Sequence, residues 1–419
     1  MKSIILFFLL VFNLSVFSQS RFYKQYWVEY EGRINNNKQQ GERTRVNDRG
    51  MSTVKIWYNR FESQVNGLAL LHIPDTTLQI ERSEMVFEMW GGHPKTENKR
   101  FSINGSKYYP LPSENTQTGH CEYRYPIVPV DFHDLVSGFN AIQFLCDKGE
   151  TFWGHFILEQ IGINVFLKSD APELIKSGLP EFNAIPVIQN KVLSDSVVVG
   201  LNYPLQFADK IESVHFFAFY LGYNESGAEA DEQWHGYLKD RKYKGHIGTV
   251  AKAPYQIKWN TCMIPDQGKP MAIKALIQFK NGMFYQSDIL TGLTFPHSRP
   301  TVQLYHCVEL PCPFWSRNNQ LRKALIELPA DLSNVESVEL HVRNWDGGEG
   351  NIKEPFKLNG VPYKITAGNA PHDLVYTINK VNPKNLKPGM NEIQLISDTG
   401  HHGIELCLPG PCLIVKYSK

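Results

Sequence analysis

An excess of charge of one sign is missing from this chain. It has 43 lysines and arginines against 42 aspartates and glutamates, a formal net charge of +1. That balance argues against a dedicated nucleic-acid binder, while leaving room for a local basic groove that takes an acidic substrate. No long apolar run follows Phe17, so stable membrane insertion is not expected. Helical periodicity is scarce; Leu174-Ile175 and Arg322-Lys323-Ala324 read only as starts of single turns. There is no Gly-x-Ser-x-Gly elbow, no phosphate-binding glycine loop and no His-Glu-x-x-His helix. The chemistries those motifs support are therefore not indicated.

What is present points outward from the cell. Residues 1–18 read as a signal peptide, with Lys2, an apolar run from Ile4 to Phe17, and compact Val16 and Ser18 before Gln19. The expected location is secreted or periplasmic. Seven cysteines fit an oxidising compartment. Cys121 and Cys146 are expected to bridge neighbouring strands. Cys307, Cys312, Cys407 and Cys412 allow two local bridges or two cross-bridges, and Cys262 is left over, buried and free. Aromatic residues make up 12% of the chain, which suits both β-sandwich cores and sugar-binding surfaces.

The chain carries one β-pattern twice. From Pro74 to Tyr108 residues recur at a constant offset of 255: Glu81 with Glu336, Trp90 with Trp345, Phe101 with Phe356, and Asn104-Gly105 with Asn359-Gly360. After a short deletion, Gly138 to Gln143 matches Gly389 to Gln394. Asn-Gly at matched positions is a hairpin signal. Apolar and aromatic runs at Phe87–Trp90, Ile142–Cys146 and Phe156–Phe166 read as strands.

The expected fold is all-β: two related jelly-roll-like sandwiches flanking a central immunoglobulin- or fibronectin-like sandwich. The expected boundaries are residues 19–168, 169–300 and 301–419. In the middle segment, Ser196–Leu201, Val214–Gly222, Tyr255–Thr261 and Ala272–Phe279 read as strands, and Asn281-Gly282 as a turn that returns the chain through Phe284–Asp288.

Features kept by both copies are framework, which places Trp90 with the framework. Features kept by one copy are candidates for chemistry. The first copy alone has Trp90-Gly91-Gly92-His93 with Lys95 and Arg100, Gly119-His120-Cys121-Glu122-Tyr123-Arg124, and Phe152-Trp153-Gly154-His155. His moves protons near neutrality, Arg and Lys hold carboxylate or sulfate, and Trp offers a flat face to sugar C–H groups. The catalytic candidates are His93, His155, Tyr123 and Arg100. The substrate-binding candidates are Trp153, His120, Arg124 and Lys95. Glu88, Glu122 and Glu159 are available carboxylates, but spacing singles out no pair. His235 and His246 are candidates for a site shared between domains. No cofactor is expected. The acidic run Asn224 to Glu232 offers oxygen ligands for a structural calcium ion, yet lacks the alternation of an EF-hand loop.

The Trp90-Gly91-Gly92-His93-Pro94 and Phe152-Trp153-Gly154-His155-Phe156 stretches resemble secreted β-sandwich proteins encoded with bacterial polysaccharide-degradation systems. That family includes an oligosaccharide dehydratase acting on ulvan, a sulfated rhamnose–uronate polymer. The resemblance implies β-elimination, by dehydration or lyase cleavage, on anionic, uronate-containing oligosaccharides. Arg100 or Arg124 would neutralise the uronate, His93 or His155 would be the base, and Tyr123 the acid. The competing class is a non-catalytic carbohydrate-binding or surface-scaffold protein. A glycan-directed hydrolase is a third reading.

Overall fold

The computed structural model describes residues 21–29, 43–46, 54–57, 60–63, 67–74, 79–92, 96–112, 123–147, 156–227, 231–348, 350–365 and 373–419. The first copy centres on the strand Ile80–Trp90, which pairs with Phe156–Leu167 on one side and with Tyr123–Arg124 and Ile127–Val130 on the other. Alternation along this strand sends Met85, Phe87 and Met89 into a core closed by a second sheet. That sheet has the order Leu68–Ile73, Gly138–Leu145, Arg100–Ile103, Tyr108–Pro110.

The second copy repeats this design. Its central strand, Val335–Asp346, pairs with Asp373–Val381 and Cys412–Tyr417. Its facing sheet runs Cys307–Glu309, Arg322–Leu328, Gly389–Leu395, Phe356–Leu358, Val361–Pro362. Arg322-Lys323-Ala324 is therefore strand, not helix: Ala324, Ile326 and Leu328 alternate inward.

Matched residues hold the repeat together. Asn104 and Asn359 take the left-handed conformation at φ 52° and 51° that opens each hairpin turn. Asn104 Nδ2 donates to Asn140 Oδ1 at 2.8 Å, and Asn359 Nδ2 donates to Asn391 Oδ1 at 2.8 Å. Fully buried Asn140 and Asn391 then bind their own loops through the same pattern, at Val136 and Gly138 and at Lys387 and Gly389. Each buried amide is satisfied on both its oxygen and its nitrogen.

In the middle, Ile185–Ile188, Ser196–Asn202 and Gln256–Asn260 form one sheet, packed on Ile211–Leu221, Met271–Phe279 and Met283–Gln286. The middle segment is joined to the first copy by strand pairing. Strand Phe22–Trp27 pairs with Phe156–Leu167 through Tyr23 and Phe166, and with Met283–Gln286 through Tyr23 and Phe284. One 14-stranded sheet thus runs from the first copy into the middle segment. Leu174 and Ile175 lie in the helix Pro172–Ser177, closed by Gly178 at φ 64°.

The expected disulfides are corrected as well. Cys307, Cys407 and Cys412 are thiols, so neither a local nor a cross pairing of the four is formed. Cys262 is half-buried rather than buried. Cys121 lies outside the described residues, and its pairing with Cys146 lies there too. No helix among the described residues is long and apolar enough to cross a membrane. The expected signal peptide also falls outside them.

Candidate active site

Two of the site candidates, Tyr123 and Arg124, lie at one end of the first copy's central strand. Trp90 is in register with Tyr123 and with Ile157. In the second copy the equivalent Trp345 is in register with Leu374 and Glu405. These two ends meet: Tyr123, Leu374 and Cys407 form one cluster with half-buried Trp90, Tyr125 and Trp345. Both tryptophans therefore sit in a contact between the copies.

The outward face of Ile80–Trp90 carries an ionisable side chain into this contact. Glu88 is 2% exposed, and the residue at the same place in the second copy is Arg343, 1% exposed. Arg343 Nη1 donates to Leu408 O at 2.9 Å and Nη2 to Tyr123 O at 3.1 Å. Gly227 lies against them at φ +85°, where a Cβ would fall 2.1 Å from Arg343 Nη1. Glu88 Oε1 accepts from the Tyr123 hydroxyl at 3.3 Å.

A hairpin from the middle segment closes the face. Its strands are Tyr237–Lys239 and Lys242–Lys244, turned by Asp240 and Arg241 at φ 48° and 61°. Asp240 N donates to Glu88 Oε2 at 3.0 Å. Lys239 Nζ donates to Asp373 Oδ1 at 2.5 Å and to Leu374 O at 2.6 Å. Arg241 donates to Gln160 Oε1 at 3.0 Å and to Glu29 Oε1 at 2.6 Å. The rings of Tyr125 and Tyr237 stack at 4.4 Å. The buried Tyr125 hydroxyl has no hydrogen-bond partner among the described residues.

A second carboxylate sits beside the first. Pairing along the strands steps from Leu158–Met89 to Gln160–Glu88, leaving Glu159 as the extra residue of a bulge. Bulges of this kind re-aim a side chain. Glu159 pairs with Arg43 at 3.8 Å, both largely buried. Burial, reinforced by the Asp240 and Glu159 carboxylates, pushes the Glu88 carboxyl up to about 8. Burial likewise pushes the Tyr237 phenol up to about 12 and the Tyr125 phenol well above its usual range. The site thus sets a carboxyl raised above its ordinary range and bonded to a phenol near a second carboxyl group that lies against Arg43.

Of the eight candidates named from sequence, the structure brings Tyr123 to this junction. Arg124, buried, stands opposite Met89 on the same short strand. Arg100 lies in the facing sheet, paired with Asp147 at 2.5 Å and donating to Asn98 O. His93, Lys95, His120, Trp153 and His155 lie outside the described residues. His235 is buried within the middle segment, stacked 3.6 Å from Tyr220 and held by Glu225 at 2.8 Å. His246 is held by Thr249 at 2.5 Å. In the acidic run, Glu225 is engaged by His235 and Glu232 by Lys269; residues 228–230 lie outside the described residues.

Sequence reasoning passed over Tyr125, Tyr237, Lys239 and Arg343. One signal was available: Met85-Val86-Phe87-Glu88-Met89-Trp90 against Leu340-His341-Val342-Arg343-Asn344-Trp345 sets opposite charges at matched positions of two largely apolar strands.

No protein-family model matches the chain. No curated protein matches it either. Similar solved structures include BpGH86A, a beta-porphyranase of glycoside hydrolase family 86 from Bacteroides plebeius, at 14% identity and TM-score 0.23 over 54% of this chain and 35% of that one. BuGH86 in complex with neoagarooctaose matches at 12% identity and TM-score 0.25, over 64% of this chain and 40% of that one. An exo-beta-1,3-galactanase from Phanerochaete chrysosporium matches at 9% identity and TM-score 0.17, over 55% and 56%. The chain thus spans well under half of the two family 86 enzymes, and likeness at this level carries no activity over to it.

Proposed function

We propose that this chain is an exported carbohydrate-active enzyme that breaks glycosidic bonds with Glu88 as general acid and Glu159 as its carboxylate partner. The observation behind this reading is the buried pair itself. Glu88 is held neutral to about pH 8, while Glu159 lies against Arg43. A carboxyl raised toward neutrality, with a second carboxyl held by a cation near it, suits acid–base cleavage of a glycoside. Glu88 donates its proton to the glycosidic oxygen as the bond from the anomeric carbon breaks. Glu159 then attacks that carbon or takes a proton from the incoming water. Tyr123 holds the Glu88 carboxyl in place.

A second reading keeps elimination at a uronate, and the tyrosines favour it. Tyr123, Tyr125 and Tyr237 gather at one junction, and phenols serve elimination as acid or base. One experiment separates these readings: mass spectrometry and ultraviolet absorbance on neutral, sulfated and uronate-containing oligosaccharides before and after incubation. Fragments that together gain one water per broken bond support hydrolysis. An unsaturated, ultraviolet-absorbing product supports elimination, and loss of one water from an intact chain supports dehydration. No change across the panel overturns the enzyme reading in favour of a binding or scaffold protein. Glu88→Gln is expected to lower turnover by on the order of 100-fold or more while binding persists.

A further inference from the structure

The two copies differ on the outer face of their second sheet. In the first copy, strand alternation turns Leu68, Leu70, His72, Phe139, Ala141 and Tyr108 away from the core on that face. Phe139 is 67% exposed, Tyr108 57%, Leu70 49% and Leu68 37%. The His72 and Phe139 rings lie side by side, their centroids 4.7 Å apart.

The second copy shows what the same face looks like when water is its neighbour. Lys323, Leu325 and Glu327 stand where the first copy has Leu68, Leu70 and His72. Glu392 stands in place of Ala141 and Lys357 in place of Ser102. Tyr108, opposite Ser102, gives way to Pro362, opposite Lys357. Lys323 Nζ donates to Glu392 Oε2 at 2.8 Å, and Gln394 Nε2 donates to Glu392 Oε1 at 2.5 Å. A polar outer face of this kind is ordinary for a sandwich. The apolar face of the first copy is not, and a contiguous apolar surface marks a contact.

We propose that this face of the first copy is an interaction surface whose partner is a second copy of this chain, docked sheet against sheet about a two-fold axis. Charge selects that partner. Arg100 is the one Lys, Arg, Asp or Glu that the four strands turn outward here, and Asp147 of the same chain pairs with it. The face meets its own copy with no like charges opposed, while a partner rich in charge of either sign finds nothing to pair with. Hydrogen bonding points the same way. Gln143 donates to Phe144 O and Arg100 to Asn98 O, so the longest polar side chains of the face are engaged within the chain. A sugar needs such groups beside its stacking rings; an apolar sheet does not. At about 200 Å² for a ring side chain, Phe139 and Tyr108 alone offer roughly 250 Å² per chain. That is a large share of the roughly 600 Å² each partner gives to a small stable interface. The face also lies across the core from Glu88, because Met85, Phe87 and Met89 of the central strand point inward and Glu88 outward. Pairing through it leaves the two junctions on opposite outer sides of the dimer.

Sedimentation equilibrium of the full chain over a micromolar concentration series tests this. The expected result is a concentration-dependent species of twice the chain's mass. Leu70→Glu and Phe139→Glu set like charges against each other across the axis, and each is expected to weaken association by about 100-fold or more. Met390→Glu, at the place in the second copy that matches Phe139, is expected to leave association unchanged. Circular dichroism and melting temperature check that each variant keeps its fold. Oxidative footprinting of wild type needs no variant: labelling of Phe139 and Tyr108 is expected to fall as concentration rises. Wild type that stays monomeric, or a dimer that survives both substitutions, overturns the proposal. So does a monomer whose Phe139 and Tyr108 are shielded by an added oligosaccharide instead.

Discussion

At the matched point of their central strands, the first copy has Glu88 and the second has Arg343. Around them the design is shared: both strands end at a tryptophan, both pair with the same kinds of neighbours, and both carry the twin asparagine network. Yet Arg343 is committed to two main-chain carbonyls across the contact. Glu88 takes one main-chain N–H and one phenol, and stays neutral. The difference separates two uses of a buried ionisable group. In the second copy it joins the pieces; in the first it stores a proton.

Breaking the joining role should cost most. Arg343→Ala strands the Leu408 and Tyr123 carbonyls in a dry interior. It is expected to lower stability by about 3 kcal/mol or more in denaturant unfolding. Gly227→Ala forces a Cβ against Arg343 at a positive φ, and a loss of about 2 kcal/mol is expected by the same measurement. Asn140→Ala and Asn391→Ala probe what the copies share. Each removes the same buried network, so near-equal losses of roughly 2 kcal/mol are expected. A difference much larger than about 0.5 kcal/mol would mean that the repeat is not equivalent in energy. The smallest effect belongs to Arg100→Ala. Its ion pair with half-exposed Asp147 is expected to contribute less than about 1 kcal/mol, and less again at high salt.

Much of the fold was legible because strand alternation is local. Phe87–Trp90 and Phe156–Phe166 read as strands from their own residues, and the constant offset tied the two copies together before any contact was known. The Asn-Gly turns announced themselves because few residues tolerate the left-handed conformation. The Asp240-Arg241 turn did not, since Arg rarely occupies φ 61°. Nor did the continuous sheet. Its joint is Tyr23, whose partners Phe166 and Phe284 lie far off in sequence. At the site, Tyr123 was found from its neighbours. Glu88 and Glu159 were seen only as available carboxylates, because a bulge and a hairpin from another segment bring them together.

The storing role is tested most directly by carbon-13 NMR titration of the glutamate carboxyls in wild type and Glu88→Gln. One carboxyl is expected to titrate near 8 and to vanish in the variant. Because that folded-state value lies above the ordinary 4.5, wild-type stability should be full below about pH 4.5 and fall as pH rises toward 8. Glu88→Gln should lack that decline. If every glutamate carboxyl titrates in the ordinary carboxylate range, Glu88 holds no proton at neutral pH and cannot be the acid.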